Sequence, residues 1–538
     1  MSAKTKSFYF SLPFQLIILF ITVLILGVYF RVTHLDQKVY WHDEVFTSVR
    51  ASGYTAEAII PQVFSGDPIT SETLLQYQQL SDTHGWSETW QALTSNPEHP
   101  PLYYLAVRLW MEWFGSGVAA VRSLSVVLSL LTLPALYWFS QELFDRSYQS
   151  PQGSRQALWV STLVILLWAV SPFHVLYAQE ARQSSLWTLV TILSSAALLR
   201  SLRLQTRTSW LIYAITVALN LYTFLLSVFV FACHGLVVLA TRPFSWRSIR
   251  RFAAALVAGG LAFLPWLRIM IRNWDVLQSK TAWTTQSPPL SVLAKLWGLH
   301  FSSTFIDLGL PLDHPYTYLV PPLVLALIAL SLGRLCRQTP RRVWLMVVLL
   351  VVLPALSLIL PDILVGGQRS LNTRYFVPSL IGVLLAVAYL LAGWIQHPSV
   401  RRQRWGYGLL TLLLTVGIIS CAASWQATAW WSKGVSYYNP TVADFLSQFD
   451  QPVIVSSLAP DTLGNVISLS REVARRDRLI WFQLVIDPAV PLRWQPGDRF
   501  LYYPTESLKQ SLQATGTLQL VPVEPPTVPL VKLVAAQP

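Results

Sequence analysis

Long, nearly uninterrupted apolar runs recur along most of the chain, separated by short polar segments. A helix needs roughly 20 apolar residues to cross the hydrocarbon core of a bilayer. By that length the pattern predicts spans at 12–30, 118–140, 157–177, 184–200, 209–225, 226–241, 252–271, 317–334, 343–360, 374–394 and 405–425. The run over 209–241 is continuous and is divided by a tight turn near Ser227. Two long stretches, 31–117 and 272–316, interrupt the alternation. Within them 101–115 and 290–308 are apolar but short, and the first carries Arg108 and Glu112. Both are expected as interfacial helices, with Trp110 and Trp113 in the headgroup layer. The pattern changes after Trp425. Segments 452–456 and 499–503 read as short buried strands, 441–449 and 506–514 as helices, and 521–529 as an extended Pro-rich strand or tail.

The fold expected is therefore an all-α polytopic membrane protein with about 11 transmembrane helices and a small C-terminal α/β extramembrane domain. The domains divide as 1–425, with the long loop 31–117, and 426–538. Composition agrees: 53% of residues are hydrophobic, 12% are charged, and mean hydropathy is +0.46. Soluble domains carry about twice that charged fraction. The first run is expected to stay as a span, since no small-residue cleavage site follows it. The cysteines, Cys233, Cys336 and Cys421, lie in or beside apolar runs and suggest no disulfide framework.

A net charge of +13 raises the question of nucleic acid, and its distribution answers it. Lys and Arg gather in short loops at 146–155, 200–207, 242–251, 334–342 and 401–404. That is the bias of cytoplasmic loops, so these five and the N-terminus are expected inside. No nucleic-acid partner is expected. The loop 31–117 is instead rich in acid and is expected outside. If 101–115 crossed, every later basic loop would alternate wrongly. An odd number of crossings then puts the tail outside as well, in a plasma (inner) membrane protein whose site faces the periplasm.

Four polar clusters fall on that outer side: His42-Asp43-Glu44, His99-Pro100-Pro101, Tyr177-Ala178-Gln179-Glu180-Ala181-Arg182, and Asn372-Thr373-Arg374-Tyr375. Each has a structural reading. Asp43 and Glu44 suit a helix cap, and His99-Pro-Pro a rigid turn. Glu180 and Arg182 suit an internal ion pair, and Arg374 a snorkelling side chain. Their convergence at one surface favours a reaction site, with Arg as a bidentate seat for phosphate. No His pair has metal-ligand spacing, and no cofactor is certain. A divalent cation remains an option if Asp43, Glu44 and Glu180 converge.

An acidic pair after span one, Glu98-His99-Pro100-Pro101-Leu102-Tyr103-Tyr104 in the same loop, and Ser171-Pro172-Phe173-His174-Val175-Leu176-Tyr177-Ala178-Gln179-Glu180-Ala181-Arg182 after span three stand in a telling order. The order resembles the polytopic GT-C glycosyltransferases, in particular the protein O-mannosyltransferase and aminoarabinose-transferase-like group and its Rgt-type bacterial members. The likeness is strong over about residues 1–240, moderate around Arg374-Tyr375, and absent from the tail. It implies a polyprenyl-phosphate sugar donor, a glycan, lipid or protein acceptor, and membrane lipid around the chain. Asp43 would act as base. Glu44 would orient Asp43 or the acceptor. His99, Arg182 and Arg374 would stabilise the leaving phosphate. Tyr177, Glu180 and Tyr375 would line the substrate. The position of His99 is Lys in one branch of the group and His in another, which leaves two roles for it, phosphate contact or acceptor orientation. The competing reading is a polytopic transporter or lipid flippase, which would explain the spans equally well. Polar groups gathered at helix ends, instead of at the bilayer midplane, favour the transferase.

Overall fold

The computed structural model describes residues 13–145, 151–240, 244–486, 497–524 and 528–535. The N-terminal residues before Pro13, Arg146 and Arg242, which helped to orient the chain, lie outside the described residues, as does 525–527 of the Pro-rich segment.

Among the described residues eight helices are long and apolar enough to cross a membrane, from Phe14–Val32 to the one that begins at Val400, and a bent pair makes up to nine. The bend corrects the single span predicted over 157–177. Ser154–Ala169 and Pro172–Ala178 meet at 60°. Pro172 has no N–H to continue the first helix, and the freed carbonyls need other donors. Arg31, buried at the end of the first span, supplies them: its guanidinium donates to Trp168 O at 3.0 Å and Ala169 O at 2.6 Å. Ser171 closes the corner by donating to Thr304 O at 2.7 Å. The predicted spans at 209–225 and 226–241 are the helices Arg207–Thr223 and Ser227–Ala240, of 17 and 14 residues. They are parted by an extended Phe224. Over the described residues both fall below the usual crossing length of about 20 residues. Because they come as a pair, the side on which the chain emerges does not depend on whether they cross.

Leu102–Phe114 has 13 residues, which at 1.5 Å per residue is about 20 Å, too short to span. Tyr103, Tyr104, Val107 and Met111 face the protein, while Leu109, Trp113 and Phe114 are exposed. Trp110 is half-buried between this helix and the start of the next span. Its indole N–H donates to Ala120 O and Ser123 Oγ, which ties it to the next span. The later segment, expected at the interface over 290–308, contains the helix Leu290–Ser302.

The extramembrane part is built on a six-stranded sheet. Its strands are β1 (Ser65–Ile69), β2 (Val453–Ser457), β3 (Trp481–Val485), β4 (Arg499–Tyr502), β5 (Leu518–Pro522) and β6 (Leu530–Ala535). The order is β1-β3-β2-β4-β6-β5. The wholly buried β2 lies at the centre, parallel to β3 and β4. The edge strand β1 comes from the long loop after the first span and pairs antiparallel with β3. The sheet is thus shared between loop and tail, which fixes both on one side of the bundle. The helix Thr462–Ala474 packs on His42–Ala51 and is held close by Gly464. A Cβ on Gly464 would meet His42 Nδ1 at 2.6 Å and the Phe46 ring at 2.9 Å. The sequence did not anticipate β1, β3 or the helix Thr462–Ala474.

Candidate active site

His42–Ala51 begins just past the outer end of the first span, with Asp43 and Glu44 in its first turn, where helix amides favour negative charge. Neighbouring residues on a helix do not share a face. The two carboxylates therefore go to different places, and that divides their roles.

Asp43 turns toward the polar turn and the span that begins at Thr373. Arg374 Nη1 donates to its Oδ2 at 2.7 Å, and Arg182 Nη2 lies 3.5 Å from the same oxygen. Arg182 Nη1 also donates to Asp43 O at 3.2 Å. The Arg374 guanidinium stands 5.6 Å from the ring centres of both Trp41 and Tyr375, an aromatic sandwich that fixes its plane. The Asp43 side chain is 22% exposed, so one oxygen can still be approached. Burial on its own would raise the Asp43 pKa. Arg182 and Arg374 outweigh it and hold the carboxyl well below the usual carboxylate range.

Glu44 turns inward and is fully buried. Its Oε1 accepts from Arg122 Nε at 2.8 Å and Ala181 N–H at 2.8 Å. Its Oε2 accepts from Arg122 Nη2 at 2.7 Å and Lys433 Nζ at 3.3 Å. Every lone-pair direction is used, and no acceptor hydroxyl can reach it. The expectation that Glu44 orients an acceptor is corrected: Glu44 joins four parts of the chain. Arg122 goes on to donate to the carbonyls of Leu35, Lys38 and Val39, which clamps the loop leading into Asp43.

Glu180 is the third buried carboxylate. Its Oε1 accepts from Lys433 Nζ at 2.8 Å and Ser432 Oγ at 2.8 Å, while Oε2 has no hydrogen-bond partner among the described residues. Lys433 therefore bridges Glu44 and Glu180. The convergence that a cation at Asp43, Glu44 and Glu180 would require is not met. Among the described residues no three His, Cys, Asp or Glu side chains group as metal ligands.

His99 sits beside Glu98, with Nε2 3.7 Å from Oε1, and near the Tyr104 ring. Burial, with Arg50 and Arg182 adding to it, pushes its pKa well below the usual imidazole range. That shift disfavours the charged imidazole and leaves His99 as a hydrogen-bonding group beside the cluster. Its Nδ1 is buried and unpartnered among the described residues. Tyr177 is buried against Phe173, one turn before the polar turn, and Tyr375 is half-buried against Phe224.

Sequence reasoning missed Arg122, Lys433, Trp41 and Lys38. Arg122 carried a signal, an ionisable residue four places into an apolar span. Lys433 lay in the tail, where no motif marked it. Lys38 is buried and donates to Gln179 Oε1 at 3.1 Å. Burial first, then Lys433 and Arg122, lower its pKa to about 7. Above that pH the folded protein gives up this proton while the unfolded chain holds it to about 10.4. Stability therefore gains as pH rises from about 7 to 10, because the unfolded state binds more protons there. In thermal unfolding across that range, the midpoint of the wild type should climb relative to that of Lys38→Met. Parallel pH profiles would show that burial does not lower the Lys38 pKa in this way.

No protein-family model matches the chain, and no curated protein matches it by sequence. Solved structures do match. The chain shares its fold with solved structures of ArnT. ArnT from Cupriavidus metallidurans bound to undecaprenyl phosphate aligns at TM-score 0.50 with 15% identity, over 96% of this chain and 97% of that one. Its apo state aligns at TM-score 0.51 and 14% identity, with the same coverage. The archaeal oligosaccharyltransferase AglB from Archaeoglobus fulgidus, in complex with an inhibitory peptide and a dolichol-phosphate, aligns at TM-score 0.47 and 12% identity, over 85% of this chain and 64% of that one.

Proposed function

We propose that the protein transfers a sugar from a polyprenyl-phosphate-linked donor to a glycan, lipid or protein acceptor by a single inverting displacement, with Asp43 as base. The observation that carries this reading is the Asp43–Arg374–Arg182 cluster: one approachable carboxylate held by two guanidiniums. In the resting cluster Asp43 is a poor proton acceptor, because its charge is already neutralised. A donor phosphate is the anion that would draw Arg374 and Arg182 to itself. Asp43 then loses its partners, and its proton affinity rises where the acceptor must be deprotonated. The acceptor hydroxyl gives its proton to Asp43, its oxygen bonds to the anomeric carbon, and the bond from that carbon to the phosphate oxygen breaks. The phosphate leaves with its growing charge met by Arg374 and Arg182, and His99 can donate a hydrogen bond to it. One base and a stabilised leaving anion suffice. Residues 1–425 would form the catalytic membrane domain, and 426–538 the extramembrane domain that locks the site through Lys433.

Arg374→Ala should weaken donor binding and turnover together, since a phosphate contact acts in both ground and transition states. Donor binding measured apart from transfer checks this. Undiminished donor binding would remove Arg374 from the phosphate site. If no lipid-linked sugar were transferred by the wild type while lipid crossed reconstituted vesicles, the flippase reading would take over.

For orientation we propose that the Asp43 loop and the tail face the periplasm, in a plasma (inner) membrane. Cys336 is the exposed cysteine of the three, at the opposite end of the bundle. A membrane-impermeant thiol reagent on intact cells should label Ser507→Cys and leave Cys336 unlabelled until the membrane is opened. The reverse pattern would invert the topology.

A further inference from the structure

A cavity lies far from Asp43. It has a volume of about 750 Å³ and opens between the ends of the helices Tyr316–Gln338, Val377–Ile395 and Val400–Gln426. Arg374 begins the middle span and Trp394 ends it, so the cavity stands about 30 Å from the reaction site at 1.5 Å per residue. Three guanidiniums line it, Arg334, Arg337 and Arg402, and no carboxylate does. None of the three forms an ion pair among the described residues. Arg402 is held only by the imidazole of His397, at 2.7 Å. Arg334 is drawn in against Gly393, where a Cβ would meet Nη2 at 2.6 Å. Its Nε is buried without a hydrogen-bond partner among the described residues. Trp394, Trp405 and Leu330 complete the wall, and Trp405 and Leu330 are exposed beside it.

Like charges gathered at the edge of a membrane span are unfavourable without a counter-ion. The missing partner must be an anion, since the open donors are guanidinium N–H groups. It must be larger than a bare phosphate to fill the space, and apolar on one side to meet Leu330 and the two indoles. We propose that this cavity holds the headgroup of an anionic phospholipid, with its phosphodiester on Arg334, Arg337 and Arg402 and an acyl chain along Leu330 and Trp405. Basic pockets between spans on the cytoplasmic side suit such headgroups. A zwitterionic lipid brings no net charge to three cations, and a free phosphate leaves the apolar wall uncovered.

The test is native mass spectrometry of the full chain released from detergent, with phosphatidylglycerol, phosphatidylcholine or inorganic phosphate added. Phosphatidylglycerol should be retained as a single bound lipid in preference to phosphatidylcholine, and inorganic phosphate should not displace it. Arg402→Gln, at an exposed first turn that the fold does not need, should lower retention about tenfold, as loss of a charge-assisted hydrogen bond implies. Arg401→Gln, on the same turn but outside the cavity, should retain the lipid as the wild type does. Equal retention of both lipids, displacement by phosphate alone, or equal loss in Arg401→Gln and Arg402→Gln would each overturn the proposal.

Discussion

Replacing Lys433 with methionine should destabilise the protein by about 3–5 kcal/mol, the cost of removing one partner from a buried ion pair. The reason is local. Lys433 is wholly buried, and its ammonium is the shared partner of Glu44 and Glu180. Without it, Glu180 keeps only the Ser432 hydroxyl on one oxygen and nothing on the other. Glu44 fares better because Arg122 remains. Against a total stability of about 5–15 kcal/mol the loss is severe, and it should appear as a lower thermal midpoint and a smaller folded yield from membranes. Adding Glu180→Gln to Lys433→Met should recover part of the loss, since the uncompensated charge goes with it. An unchanged midpoint in Lys433→Met would mean that the tail does not lock the site through this bridge.

The sequence made the bundle legible because crossing a bilayer demands long apolar runs, and that demand leaves little ambiguity. It was less informative where geometry depends on a single break. Nothing in the apolar run over 157–177 marked a 60° bend except Ser171-Pro172, and the donor that makes the bend tolerable, Arg31, sits 137 positions from Trp168. The long loop and the tail could not be paired in advance. Strand β1, with sequence Ser-Gly-Asp-Pro-Ile, has neither alternation nor β-branched density until Ile69, and only its partner β3 makes it a strand.

The candidate site divides the same way. Asp43, Arg182 and Arg374 were singled out from their motifs, and the fold brings all three within ion-pair distance. Glu44 was misread because adjacency in sequence suggested shared work, whereas the helix turns adjacent side chains apart. For His99 the motif gives the residue and not its burial, which lowers its pKa. Lys433 was invisible, since its meaning comes wholly from the two carboxylates of distant segments that it joins.

Asp43→Asn should reduce sugar transfer by about 10²–10⁴-fold, the usual worth of a general base. The amide keeps the shape of the side chain and a carbonyl oxygen toward Arg374, yet it cannot take the acceptor's proton. Folding should be affected little, because Asp43 is partly exposed and its arginines have other contacts, Arg182 with Thr47 Oγ1 and Arg374 with two aromatic rings. Donor binding should hold or strengthen, since the arginines no longer have a carboxylate to leave. The measurement that tests the central claim most directly is transfer from a polyprenyl-phosphate sugar by wild type and Asp43→Asn side by side, with donor binding followed separately. The account predicts near-complete loss of transfer with donor binding intact. Full turnover by Asp43→Asn, in an assay where the wild type is active, would contradict it.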